Sequence, residues 1–198
     1  PPASSSAASD VYKRQCFNYT NNDHPNFLNI HDCFEVIRGF NYVASHLKKV
    51  KNNKELLGPN VIDNVERGLK YSMEDVTWAH QEQTKIYNNF RKFFENYDVL
   101  ICPAASVSPF PHEQLFVEEI NNEKLPTYMR WLALSYAPTM AIPCAWALPC
   151  GLDHKNLPFG IQLIAPAGND AKLSEIALAI EDALSNHEET KRAIPDIV

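Results

Sequence analysis

The stretch Pro149-Cys150-Gly151-Leu152-Asp153-His154-Lys155-Asn156-Leu157-Pro158-Phe159-Gly160-Ile161-Gln162 decides how this chain is read. It opens on a Pro-Cys-Gly turn, crosses a short polar loop and enters Leu-Pro-Phe-Gly-Ile-Gln, which continues into Leu163-Ile164. Short apolar runs bounded by turn residues are strand signals, so Ala141 to Leu148 and Phe159 to Ala165 are two predicted strands. Pro149, Gly151, Pro158 and Gly160 shape the strand ends, and Gln162, polar inside a strand, is expected to bond loop backbone.

Downstream, Gly168-Asn169-Asp170 starts a helix with Leu173, Ile176, Ala177, Ile180 and Leu184 on one face. Upstream, Leu125 to Tyr136 is predicted helical. Tyr97-Asp98-Val99-Leu100-Ile101-Cys102-Pro103 reads as a strand suited to an interior position, followed by a Pro-rich loop to Pro111. Ser72 and Asp75 form a capping box for the longest helix, to about Tyr97, with Met73, Val76, Ile86, Phe90, Phe93 and Phe94 as its apolar stripe. A short helix follows Gly58-Pro59, with proline in its first turn. Asp32 is placed to cap a helix running to about Val50. Helices alternating with short apolar strands give an α/β fold, a sheet of about three strands flanked by helices.

The chain has 198 residues, 45% hydrophobic and 21% charged, which suits a globular domain with a core. A net charge of −6 without a basic patch argues against nucleic-acid binding, and no apolar run is long enough to span a membrane. Five cysteines, odd in number and without metal-type spacing, read as reduced thiols of a cytoplasmic protein. Residues 1–15 are low-complexity and lack apolar periodicity. They resemble a translated adapter scar and are set apart as a leader, leaving residues 16–198 as part of a single domain.

The order of several pieces resembles the C-terminal part of the amidase signature family, from about residue 30 onward. Asn64, Glu66, Gly68 and Leu69 match its Asn-x-Glu-x-Gly-Leu helix. Phe93, Phe94, Tyr97, Asp98, Val99, Leu100 and Pro103 match its Phe-Phe-x-x-Tyr-Asp segment. Tyr128 and Trp131 match a Tyr-x-x-Trp segment, and Pro149 through Gln162 match the terminal signature, with Pro166, Gly168 and Asp170 after it. One departure stands out. The family has Pro-Ala five residues before the Pro of Pro-Cys-Gly and a Ser two before it. Here Cys144 and Ala147 hold those places and Pro143 comes one residue early.

The resemblance implies a serine hydrolase of carboxamides, working without cofactor or metal on a small amide. A serine attacks the carbonyl, and a second serine, held by a cis peptide, relays its proton to a neutral lysine. A glycine-rich loop supplies oxyanion donors. A hydroxyl is a poor nucleophile until a base takes its proton, and the oxyanion donors must be fixed in advance. The six glycines here are never closer than eight residues apart, and the triple serine Ser4-Ser5-Ser6 falls in the leader. No residue of this chain is therefore assigned as catalytic. Trp131 and Tyr136 are substrate-pocket candidates because their predicted helix leads directly into the signature strand, and Glu66 and Gly68 border the site by family position. The competing reading makes the two aromatics core residues, Glu66 a solvated helix residue and Gly68 a helix-packing glycine.

Three rival signals weigh less. Ser45-x-x-Lys48 lacks the companion motifs of Ser-Lys enzymes and begins a solvated basic run. Cys16, His24, His31 and Cys33 follow no zinc spacing. Cys150 reads as a small buried residue. The sequence leaves open a C-terminal piece of an amidase acting on linear amides, a piece of a glutamyl-tRNA amidotransferase of the same family, and a non-catalytic, amidase-like interaction module. A half of this kind exposes sheet edges and apolar faces, so self-association is expected, a homodimer being one form of it.

Overall fold

The computed structural model describes residues 23–194. The leader, Cys16 and its part in the imagined zinc set lie outside those residues. Helix α1 (Ile30–Asn52) starts earlier than the Asp32 cap predicts, because Asn29 occupies the cap with φ of 61°. Asparagine tolerates that left-handed backbone, and its carbonyl accepts from the Cys33 N–H at 3.0 Å. Asp32 sits instead in the first turn, where a negative charge meets the positive end of the helix dipole. Helix α2 (Pro59–Gly68) begins on the proline as predicted and ends where Gly68 presses against Gly39 of α1.

Helix α3 (Met73–Phe93) starts at the predicted capping box. Ser72 Oγ accepts from the Asp75 N–H at 3.1 Å, and the Asp75 carboxylate accepts from the Ser72 N–H at 2.8 Å. Its buried stripe is Ala79, Glu82, Ile86 and Phe90, while Met73, predicted inside, is exposed. Glu82 keeps its place in the stripe because Asn29 Nδ2 donates to it at 3.2 Å and Lys85 Nζ at 2.5 Å.

Strand β1 (Leu100–Pro103) is shorter than predicted, and Tyr97 and Asp98 precede it. After a small hairpin, β2 (Glu119–Ile120) and β3 (Glu123–Lys124), the predicted helix 125–136 does not form as one element. It resolves into a 3₁₀ turn, Arg130–Leu132, and a short helix α4 (Ala133–Thr139). Strands β4 (Cys144–Leu152) and β5 (Pro158–Ala165) complete an antiparallel sheet in the order β1-β5-β4, and helix α5 (Asp170–Ser185) covers one face. The central strand is therefore β5, and β1, expected in an interior position, is an edge. Ending on a proline suits an edge better, since proline cannot extend a ladder.

The predicted Pro-Cys-Gly turn is a correction too. Those residues lie within β4, whose register shifts between Pro149 and Leu152, with Gly151 at φ 71°. The reversal comes later, at Asp153-Leu157, where Asp153 Oδ1 accepts from the Lys155 and Leu157 N–H groups at 2.8 and 3.0 Å. The pairing of β4 with β5 is regular from Cys144 to Pro149. The early Pro143 is accordingly absorbed outside that run: Ile142, immediately before it, takes φ of 51°.

Two apolar clusters hold the layers together. Leu148, Cys150, Ile161, Leu163 and Ala165 of the sheet meet Leu173, Ala177, Ile180 and Leu184 of α5, with Val99 and Ile101 beside them. Ile30, Cys33, Val36, Ala79, Ile86, Phe90, Tyr136 and Met140 form the second cluster among α1, α3 and α4, joined by Leu100. The side chains of a strand alternate between faces, so Leu100 reaches the helical layer while its two neighbours reach α5.

Candidate functional site

The segment 127–134 carries the strongest concentration of side-chain polar contacts. Arg38 of α1 is its hub. Arg38 Nε donates to Asn64 Oδ1 at 3.0 Å, and Nη2 donates to the Tyr42 and Tyr128 hydroxyls at 3.0 and 2.6 Å. The guanidinium also lies 4.5 Å from the centre of the Tyr42 ring, which orients the fork. Asn64 of α2 is buried. Its amide nitrogen donates to the Tyr128 hydroxyl at 2.8 Å and to the Asn60 carbonyl at 2.5 Å. One turn earlier on α1, Glu35 accepts from Arg130 Nη2 at 2.9 Å and from Thr127 Oγ1 at 3.3 Å. Residues at i and i+3 share a helix face, so Glu35 and Arg38 meet the segment together. A recess opens between α1, α2 and this segment, with Arg38, Arg67, Glu35, Asp63, Tyr71 and Tyr128 among its walls.

Further along, Tyr136 is buried and stacks on Phe34 at 4.0 Å with the planes 7° apart. Its hydroxyl lies 2.5 Å from His31 Nδ1. Burial pushes the Tyr136 phenol up to about 12. Burial, then the nearby Arg130 charge, lowers the His31 imidazole. A phenol that keeps its proton beside an imidazole that stays neutral is a donor–acceptor pair, suited to fixing a backbone and not to moving protons.

The four sequence-predicted pocket residues are dispersed. Tyr136 belongs to the helical apolar cluster. Gly68 sits at the α1–α2 crossing, where an added Cβ would lie 2.3 Å from the Gly39 carbonyl oxygen. Glu66 is exposed and ion-paired with Lys54 at 2.9 Å. Trp131 alone adjoins the polar segment. It is half-buried, its ring meets Phe110 edge-on with centroids 5.5 Å apart, and among the described residues it packs into neither apolar cluster. Tyr128 and Asn64 match family motifs that assign them no role. Arg38, Glu35 and Gln162 reach the same region, but only Gln162 carries a sequence signal, as a polar residue inside a strand. Gln162 Nε2 donates to the Leu134 carbonyl at 2.8 Å and to the Pro103 carbonyl at 3.2 Å.

The rival signals also find places. Ser45 and Lys48 are both exposed. Cys33 is buried and donates its Sγ to the Ala79 carbonyl, and His24 is exposed. Cys150 is buried, and burial raises its thiol to about 11, so it carries almost no thiolate at neutral pH. Among the described residues the ion-paired lysines Lys54, Lys85, Lys172 and Lys191 meet carboxylates, and none meets a serine hydroxyl. Likewise among the described residues, no three His, Cys, Asp or Glu side chains converge as metal ligands, and no helix is long and apolar enough to cross a membrane.

Comparison with known proteins adds the following. The family model described as Amidase matches residues 1–173, which takes in residues 1–15 and stops inside α5. The A-type component of glutamyl-tRNA(Gln) amidotransferase from Streptomyces avermitilis is 34% identical over 106 residues, 53% of this chain and 20% of that protein. The chain thus spans about a fifth of the length of the curated relatives it matches. Among solved structures, 6-aminohexanoate cyclic dimer hydrolase complexed with substrate superposes with a TM-score of 0.74 at 17% identity, covering 92% of this chain and 42% of that one. A bacterial aryl acylamidase belonging to the amidase signature enzymes superposes with a TM-score of 0.70 at 17% identity, covering 91% and 40%. At those identities the structural likeness establishes the fold alone.

Proposed function

The chain belongs to the amidase family, and from that premise we propose that it forms the C-terminal part of a carboxamide hydrolase. In this reading the serine nucleophile, the proton-relaying serine and the lysine base stand on residues outside those described. The reaction adds the serine oxygen to the amide carbonyl, expels the amine with the proton that the lysine received, and returns the acyl group to water as a carboxylate. The residues described here supply the wall that faces the acyl group, with Trp131 and its partner Phe110 as the apolar surface. The single observation that carries the assignment of a wall is that this aromatic pair stands outside both apolar clusters while the segment bearing Trp131 is bonded to three different elements, through the Tyr128 hydroxyl and the Leu134 carbonyl.

The test is release of 4-nitroaniline from 4-nitroacetanilide. The complete enzyme is expected to release it, and the 198-residue chain alone is expected to release none above buffer. Failure of the complete enzyme on a panel of linear amides would remove the hydrolase assignment. The name of the curated relatives favours a second reading, the A-type component of an amidotransferase. It predicts that glutamine, and not an aryl amide, is the preferred amide of the complete protein.

A further inference from the structure

We infer that Arg38, Asn64 and Tyr128 form a positioning clasp that sets the pose of Trp131, and through it the acyl-group selectivity of the proposed amidase. The inference deepens the reading above and rests on it.

The segment 127–134 runs from a turn through the short 3₁₀ turn Arg130–Leu132 into the start of α4. Its local backbone bonds include Arg130 N–H to the Thr127 carbonyl at 3.1 Å and Leu132 N–H to the Met129 carbonyl at 2.9 Å. Its position is dictated from outside. Helix α1 holds it through Arg38 and Glu35, helix α2 through Asn64, and strand β5 through Gln162. A short segment tied to three elements is held in one pose, because each tie removes a different freedom. Tyr128 is the point at which two of those ties meet: its hydroxyl oxygen accepts from both Arg38 and Asn64, which uses both lone pairs. The donors are themselves fixed. Arg38 is seated over Tyr42, and Asn64 is buried with its remaining donor on Asn60. Trp131 follows Tyr128 by three residues, on the 3₁₀ turn that the clasp anchors. With the ring packed into neither core, its direction is set by its backbone and by Phe110.

A merely structural tie would lower the melting temperature without moving the indole or changing which amide is preferred. The clasp predicts both changes. The chain has three tryptophans, so labelling it with 5-fluorotryptophan gives three fluorine resonances, of which Trp131→Phe removes and identifies one. Tyr128→Phe keeps the ring and removes the acceptor. It is expected to shift and broaden the Trp131 resonance while those of Trp78 and Trp146 hold still. In the complete enzyme the same variant is expected to raise KM for a hexanoyl anilide over that for an acetyl anilide by about tenfold. Arg38→Lys, which keeps the charge and loses the fork, repeats both measurements should Tyr128→Phe not fold. An unmoved Trp131 resonance overturns the clasp. A moved resonance with an unchanged KM ratio overturns its role in selectivity. If the unsubstituted complete enzyme cleaves neither anilide, it is the hydrolase reading that has failed, and the fluorine spectrum alone then decides the clasp.

Discussion

Gly68 and Gly39 let two helices touch backbone to backbone. A Cβ at Gly68 would stand 2.3 Å from the Gly39 carbonyl oxygen and 2.7 Å from a Val43 methyl carbon, so Gly68→Ala must push α1 and α2 apart. Overpacking of this kind costs about 1–3 kcal/mol, and urea unfolding of the variant is expected to show a loss in that range. Ile142 is the opposite case. A β-branched residue at φ 51° is strained, and its side chain is exposed. Ile142→Asn is expected to raise stability by about 1 kcal/mol in the same assay, since asparagine accepts the left-handed region. His31 makes a prediction in pH. Its folded-state pKa lies below the ordinary 6.5, chiefly through burial, so folding favours the neutral ring. That stability is fully present above 6.5 and is lost as pH falls from there toward the lowered folded value. Melting temperatures measured between about pH 8 and pH 5 should fall through that window, and His31→Gln, which keeps a hydrogen-bonding side chain beside Tyr136, should flatten the fall. Unchanged pH dependence in the variant would contradict the assignment.

The helices are legible where their information is local. The capping box at Ser72 and Asp75 and the stripe Leu173, Ala177, Ile180 and Leu184 lie where the pattern puts them, because caps and periodicity are set within a few residues. Ser72→Ala should cost about 1 kcal/mol and fray the start of α3, a change readable by hydrogen exchange at Asp75. Elements whose form depends on distant partners are not legible. Residues 125–136 have helical spacing, yet helix begins only at Arg130: the preceding Thr127 and Tyr128 bond to α1 and α2 and lie outside it. The Pro-Cys-Gly run looks like a turn because proline and glycine usually make one, but at a sheet edge proline is tolerated and the glycine forms a bulge. The β2–β3 hairpin carries a signal of its own: Asn121-Asn122, both at positive φ, suits the tight turn that matches strand twist. Of the site, Trp131 and Tyr128 are legible through motif matches. Arg38 and Glu35 are not, since a charged pair on a helix reads as a solvated face until the segment it grips is known.

Among the described residues the sheet has two edge strands, β1 and β4, and Trp146 and Leu178 are well exposed. Unpaired strand edges beside exposed apolar groups associate. Sedimentation of the 198-residue chain is therefore expected to show dimers or larger species, and a monodisperse, cooperatively melting monomer would contradict that expectation. The two apolar clusters hold the described layers together. The role proposed for the described residues is the wall of an amidase site and not its nucleophile. Treating the folded chain with a fluorophosphonate and weighing the intact protein tests this most directly. An unchanged mass is expected, and stoichiometric addition at a single serine would contradict the proposed role.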